Sequence, residues 1–203
     1  MECSDTYNSI SEPSQGLYKE LGSRFIAMAW PVESEDEVRA LLDTARRQYH
    51  DARHHCYAFR LGLDGQQWRA GDDGEPSGSA GRQILNQIDS AGLSDVLVIV
   101  VRYFGGIKLG IPGLIRAYRT ATADALSNAT VVTRTAGAWY SVSFGYDALP
   151  SVMKILKDLE LPVRERDFGL DCSLQVRVRL NLMQDFLDRM EKIGIFKDKM
   201  QKL

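Results

Sequence analysis

Four basic side chains and four glycines occur between Val96 and Ala123, a stretch that contains no acidic residue. An apolar run leads into the glycines, and a helical pattern follows them. Glycines let successive backbone N–H groups converge, and the start of a helix carries partial positive charge, so such a loop can bind anions. The residues predicted to bind phosphate or nucleic acid are Arg102, Gly105, Gly106, Lys108, Gly110, Arg116 and Arg119.

This loop lacks the known phosphate-binding motifs. Gly105 and Gly110 have the outer spacing of GxxxxGK[ST], but Ile111 and Pro112 stand where that motif requires Lys and Ser or Thr, and no GxGxxG occurs. A P-loop ATPase and a dinucleotide-binding enzyme are therefore excluded. The glycines could instead permit only a tight turn and close packing of the helix on the strand, with the arginines in solvent. The sequence leaves both interpretations open.

A second loop, Gly71–Gly81, carries three carboxylates, on Asp72, Asp73 and Glu75. It lacks the alternating ligands and distant Glu of a calcium loop. The spacing favours a turn at Asp73-Gly74 and a helix cap at Ser79, and Mg²⁺ shared with a phosphate is an alternative. If this loop lies beside the basic one, its carboxylates are expected to orient the arginines.

The segment from Asp51 to Cys56 reads Asp-Ala-Arg-His-His-Cys and leads into a predicted strand. Alternation along that strand places His54 and Cys56 on one face and His55 on the other. Cys3 and Cys172 are isolated from this group, so the spacing does not provide a zinc site. We expect a buried cysteine and hydrogen-bonded histidines, and we assign no metal ligand and no catalytic residue.

The composition describes an ordinary folded protein of 203 residues, with 44% apolar and 26% charged residues. Its net charge of -2 excludes a globally basic nucleic-acid binder but allows a local basic patch. The longest apolar run is far too short to span a membrane, and the N-terminus lacks the pattern of a secretory leader. These features favour a cytoplasmic protein without a membrane partner.

Hydrophobic periodicity predicts an α+β fold with two domains, residues 1–136 and 137–203. In the first, a capping box at Ser34–Glu37 opens a helix, and strand 54–61 turns at Asp64-Gly65. Later elements are a short helix ended by Gly92, a central strand 95–104 and a helix that ends near Asn128. The second domain is predicted to be ferredoxin-like, with the order strand 138–144, helix 149–159, strands 162–168 and 171–180, helix 183–193 and a terminal strand within 195–203.

The open face of the second sheet is predicted to carry Arg164, Arg166, Arg177 and Arg179, together with Trp139. Such a face could bind single-stranded RNA, although the aromatic-rich signature of RNA-recognition domains is missing. A solvated sheet face is the other interpretation.

Four ordered blocks resemble the signature motifs of the YigZ/IMPACT family: DARHHC (51–56), DDGEPSGSAG (72–81), VRYFGGIKLG (101–110) and GLIRAY (113–118). The resemblance covers nearly the whole chain and implies an N-terminal α/β sandwich similar to a domain of a small-subunit ribosomal protein and of translocase elongation factors, followed by a ferredoxin-like domain. Pro112 and Gln83 depart from the family pattern, and Pro112 suits the first turn of a helix. The motif residues expected to form a cleft are Arg53, His54, His55, Asp72, Asp73 and Glu75.

Eukaryotic members of the family are translational regulators, so the resemblance implies a role at the ribosome. We expect a regulator of translation that binds RNA or a ribosome-associated protein through the basic glycine-rich loop, without a cofactor. A small enzyme acting on a phosphorylated metabolite or nucleotide is the alternative, favoured if His54, Asp73, Glu75 and Arg102 share one pocket. A protein-interaction module, the third hypothesis, would expose an apolar patch.

Overall fold

The structure is a computed structural model that describes residues 5–169 and 171–203. Its chain divides into two compact units, of which one spans 7–134 and the other spans 135–203 together with Asp5 and Thr6. Helices are combined with antiparallel sheets, which confirms the predicted α+β class. The predicted boundary after residue 136 stays a prediction.

A five-stranded antiparallel sheet, in the order β2-β3-β6-β4-β5, organises the first unit. The predicted apolar strand is its central member, β6, with both neighbours hydrogen-bonded to it. The strands are β2 (Ser14–Glu20), β3 (Ser23–Pro31), β4 (His54–Leu61), β5 (Gln67–Gly71) and β6 (Val96–Tyr103), and a separate pair consists of β1 (Thr6–Ile10) and β7 (Val131–Thr135).

Three helices cover the two faces of this sheet. Helix α1 (Glu35–Gln48) packs on one face, while α2 (Gly81–Ser90) and α3 (Gly110–Ser127) pack on the other. Because side chains alternate along a strand, the β6 residues at 97, 99 and 101 lie in the α1 core and those at 96, 98 and 100 lie in the α2–α3 core. Two buried faces explain why β6 is apolar from Val96 to Val101.

Helix α1 begins as the sequence predicts. The Ser34 side chain accepts a hydrogen bond from Glu37 N at 3.2 Å, and Glu37 Oε2 accepts one from Glu33 N at 2.8 Å. Its apolar stripe buries Val38 and Leu42 against the sheet. The strands before residue 32 were not predicted.

The second unit has the topology expected of a ferredoxin-like domain. Its sheet runs in the order β11-β8-β10-β9, with each pair antiparallel. Helices α4 and α5 share one core with the inward-facing residues of β8 and β10. The elements are β8 (Gly137–Gly145), α4 (Leu149–Asp158), β9 (Val163–Phe168), β10 (Asp171–Arg179), α5 (Met183–Lys192) and β11 (Met200–Lys202). Leu170, between the predicted strands 162–168 and 171–180, lies outside the described residues.

Three of the four arginines predicted on the open face of this sheet have local partners. The Arg164 guanidinium lies 4.0 Å from the centre of the Trp139 ring and donates to Gln175 Oε1 at 2.8 Å. Arg177 donates to a backbone carbonyl, and Arg179 binds Asp5 through two nitrogens at 2.9 and 3.1 Å. That guanidinium holds the pKa of the Asp5 carboxyl below its usual range. An RNA-binding role for this face stays a prediction.

Candidate functional site

The sequence motifs of the first unit meet where β4 begins and β6 ends. His54 and Arg102 are directly paired across these two antiparallel strands. The acidic loop, residues 72–80, connects β5 to α2 and lies against the start of β4. Sheet register therefore brings together three motifs that are far apart in the chain.

Asp72 closes the acidic loop onto the start of α2. Its Oδ1 accepts from the N–H groups of Ala80 at 3.1 Å and Gly81 at 2.8 Å, and its Oδ2 accepts from Gly78 N at 2.8 Å. The predicted cap at Ser79 is wrong, since the residue at the N-cap position is Ala80, and the Ser79 hydroxyl donates to Pro76 O at 2.6 Å. The Asp72 carboxylate satisfies backbone donors that the helix leaves free.

Asp73 fastens the same loop to β4. Its Oδ2 accepts from His55 N at 2.7 Å, and its backbone O lies 2.8 Å from His54 Nδ1. The predicted turn at Asp73-Gly74 is present, because Glu75 N donates to Asp72 O at 2.9 Å. Since a carbonyl oxygen only accepts, His54 carries a proton on Nδ1.

Glu75 lies at the centre of a buried polar network. Its Oε1 accepts from Arg102 Nη1 at 2.7 Å and from Tyr118 Oη at 2.8 Å. Cys56 Sγ lies 3.3 Å from that Oη and 3.0 Å from Asp72 O. Burial raises the pKa of both the Cys56 thiol and the Tyr118 hydroxyl, so neither group ionises near neutral pH. Cys56 is thus the buried cysteine that the sequence predicts.

Both histidines of the motif are hydrogen-bonded through their rings, also as predicted. His55 is buried, and its Nε2 lies 3.1 Å from Tyr49 O. His54 is half-buried at the surface end of β4 and uses its Nδ1 as described above.

The glycine loop has a packing role at its first residue. Gly105 lies so close to Gly22 that a Cβ at position 105 would be 2.0 Å from Gly22 C. Its N–H donates to Ser23 Oγ at 3.1 Å, so this donor is already used within the protein. A Cβ added at Gly106, whose φ is +92°, would meet open space, and one added at Gly110, whose φ is +68°, would make only a distant contact. Close packing therefore requires glycine at position 105, whereas a positive φ favours glycine at positions 106 and 110.

Helix α3 starts at Gly110, although the sequence predicts the helix only after the glycines. Pro112 therefore lies in its first turn, where a missing N–H costs no helical hydrogen bond. Gly113 is buried, and the atom nearest to a Cβ added at this position would be Leu109 Cβ.

The predicted basic residues occupy different environments. Lys108 and Arg119 are exposed, and no described residue forms an ion pair with either. Arg116 is exposed but pairs with Glu20. Arg102 is the exception, since only 9% of its side chain is exposed and it is paired with Glu75. Its guanidinium also lies 5.5 Å and 5.7 Å from the ring centres of Phe25 and Phe104.

A pocket of about 430 Å³ opens beside these residues, and its walls include Arg53, His54 and Arg102. His55, Asp72, Asp73 and Glu75 do not line it; they hold the backbone and the arginine from behind. The six motif residues therefore divide into two at the pocket wall and four that support it. Three further residues of the wall, Asp51, Tyr103 and Phe104, were not predicted as site residues, because their place in the pocket depends on the register of β4 and β6.

Exposed apolar side chains cluster in the loop sequence next to this pocket. Phe104, Ile107 and Ile111 are each more than half exposed.

Among the described residues, no group of three or more His, Cys, Asp or Glu side chains is arranged to hold a metal ion. No helix in the described ranges is long and apolar enough to cross a bilayer.

Comparison with known proteins agrees with the motif pattern. The model of the Impact N-terminal domain matches residues 21–126. The IMPACT family member YigZ of Escherichia coli is 32% identical over 166 residues, which is 81% of each chain. A protein IMPACT homolog of Saccharomyces cerevisiae is 35% identical over 94 residues, covering 44% of this chain and 36% of that one.

A crystal structure of a hypothetical protein aligns with 98% of this chain and 97% of its own, with a TM-score of 0.73 and 28% identity. The likeness thus extends over both units. Since the domain model matches more than half of the sequence and the bacterial relative is similar along most of it, the protein belongs to the IMPACT family.

Proposed function

We propose that the protein regulates translation by binding RNA, or a ribosome-associated partner, through the basic surface of the glycine loop and α3. The observation that carries the proposal is the pair of exposed cations Lys108 and Arg119, which form no ion pair with any described residue and lie in a stretch without acidic residues. Family membership supports a role in translation, because the eukaryotic members that the motifs resemble are translational regulators.

Electrostatics favours phosphate as the group bound there. Lys108 precedes α3, and Arg116 and Arg119 lie three positions apart within it, so these two share one side of the helix. Arg116 pairs with the half-buried Glu20, but its own side chain is 61% exposed, so a phosphate can approach its guanidinium from the solvent side. Arg102 is excluded from this surface by its buried pair with Glu75. About three phosphates are therefore neutralised.

The test is the salt dependence of binding to a single-stranded RNA. Three phosphate contacts predict that log K falls against log salt with a slope of about -2. The variant Lys108→Glu/Arg119→Glu is expected to weaken binding and to make the slope shallower by about 1 to 1.5. The control is Lys154→Glu/Lys157→Glu, which makes the same charge change on exposed residues of α4.

Co-sedimentation with ribosomal subunits, with the same variants, extends the test to the translation apparatus. The loop variant is expected to leave the ribosomal fraction while the α4 variant remains in it. Salt-independent binding, or equal losses in both variants, would contradict the proposal. The arrangement that would favour an enzyme is missing, because Asp73 and Glu75 do not line the pocket that His54 and Arg102 line.

A further inference from the structure

The pocket at the start of β4 and the end of β6 has no assigned ligand. Its volume of about 430 Å³ is in the range of sites that hold small organic molecules. The polar and aromatic residues in its wall are Asp51, Arg53, His54, Arg102, Tyr103 and Phe104. Their chemistry indicates what would occupy it.

Arg102 supplies hydrogen-bond donors that the protein does not use. Its Nη1 donates to Glu75 Oε1, but its Nε is buried without an acceptor, and no described residue accepts from Nη2. Nε is shielded from the pocket, so Nη2 is the nitrogen from which a ligand oxygen in the pocket can accept a hydrogen bond.

Arg53 supplies the second guanidinium group of the wall. It is exposed, and it forms neither an ion pair nor a side-chain hydrogen bond within the described residues. The charge of Arg102 is offset by Glu75, and the one carboxylate in the wall, Asp51, accepts from Tyr103 Oη at 2.7 Å. Two guanidinium groups with free N–H donors form the usual protein site for phosphate.

The rest of the wall suits the other parts of a nucleotide. Phe104 lies in the pocket wall and is 55% exposed, and the Arg102 guanidinium lies 5.7 Å from its ring centre. An exposed aromatic ring offers a face on which a base can stack. His54 holds a proton on Nδ1, so it is Nε2 that faces a ligand as a hydrogen-bonding atom.

We propose that this pocket binds a nucleotide with a terminal phosphate, which contacts Arg53 and Arg102 while its base stacks on Phe104. The terminal nucleotide of an RNA chain and a free nucleoside monophosphate share this chemistry. For the RNA source, the inference rests on the function proposed above.

The test uses the full-length protein and measures affinities for AMP, adenosine and RNA hexamers with a phosphate at the 5′ end, the 3′ end or neither end. We expect the phosphorylated probes to bind about tenfold or more tightly than their phosphate-free counterparts, as charged hydrogen bonds imply. Arg53→Gln is expected to abolish this preference, and Arg82→Gln, an exposed arginine of α2 outside the pocket wall, is expected to retain it.

A second variant pair tests the aromatic contact. Phe104→Ala is expected to weaken AMP binding about tenfold. Ile107→Ala removes an equally exposed apolar side chain of the same loop that is not in the pocket wall, and it is expected to leave AMP affinity unchanged. Equal melting temperatures of the variants show that the fold is retained.

The outcomes separate this inference from the proposed function. Salt-dependent RNA binding without a preference for any terminal phosphate, and without AMP binding, overturns the pocket assignment and leaves the RNA-binding surface intact. AMP binding that Arg53→Gln abolishes, in a protein that does not bind RNA, supports the pocket with a free nucleotide as its ligand and overturns the proposed RNA binding. Failure to bind any of the probes overturns both.

Discussion

Arg102 and Glu75 form an ion pair with an Nη1–Oε1 distance of 2.7 Å, and both side chains are more than nine-tenths buried. Strand β6 contributes the arginine, and the acidic loop contributes the glutamate. Tyr118 of α3 donates to the same carboxylate oxygen. The pair thus connects three separate motifs of the chain, and it holds the guanidinium at the wall of the pocket.

Breaking this pair should strongly destabilise the first unit. Glu75→Gln leaves the Arg102 charge buried without a counter-ion, at an expected cost of about 3–5 kcal/mol in the free energy of unfolding. Urea denaturation measures this. Asp36→Asn is the control, because the Asp36–Arg39 pair has the same 2.7 Å distance but is 89% and 66% exposed, so its loss should cost less than about 1 kcal/mol. Similar losses in the two variants would contradict the argument.

Gly105 provides a test of the packing role of the glycine loop. In Gly105→Ala the new Cβ would lie 2.0 Å from Gly22 C and 2.2 Å from Ser23 N, so two backbone segments must separate. We expect a loss of about 3 kcal/mol or more. Gly106→Ala meets no atom within 4 Å and is strained only by its φ of +92°, which costs on the order of 1 kcal/mol. Denaturation that ranks Gly106→Ala as the worse variant would contradict this assignment.

Local patterns predicted most elements that bury an apolar stripe. The capping box of α1, the alternation in β4 and the continuous apolar run of β6 each follow from neighbouring residues, and the structure has all three. The order β-α-β-β-α-β likewise indicated the topology of the second unit. Periodicity suffices there because each element buries one stripe or face.

The site was harder to predict because its contacts join distant residues. Glu75 and Arg102 are 27 positions apart and meet only because the loop after β5 returns to β6. The sequence predicted phosphate contact for Arg102 but not its burial against Glu75, since a run of basic residues does not reveal which of them will be buried. Phe104 was not predicted as a site residue because, in the sequence, it is the last residue of an apolar strand.

Asp72 illustrates the same limit and gives a further prediction. A serine beside a helix start predicts a local cap, but the carboxylate that binds the N–H groups of Ala80 and Gly81 lies eight to nine positions earlier. Asp72→Ala removes an acceptor of three N–H groups and should cost about 2 kcal/mol or more of unfolding free energy. Ser79→Ala should cost about 1 kcal/mol or less. A larger loss in Ser79→Ala would restore the serine as the cap.

The pKa values of the buried network predict a loss of stability at alkaline pH. Burial raises the pKa of the Cys56 thiol and the Tyr118 hydroxyl, so the folded protein keeps protons that the unfolded chain releases. The free energy of unfolding should therefore be constant through neutral pH and then fall above about pH 8.5, where an unfolded cysteine ionises, by about 1.4 kcal/mol per pH unit for this group. In Cys56→Ala the decline due to this thiol should vanish, and the tyrosine contribution should begin only near pH 10. Chemical denaturation of both proteins between pH 7 and 10.5 measures the difference. Identical pH profiles would show that the thiol ionises equally in the folded and unfolded states, and that burial does not hold it protonated.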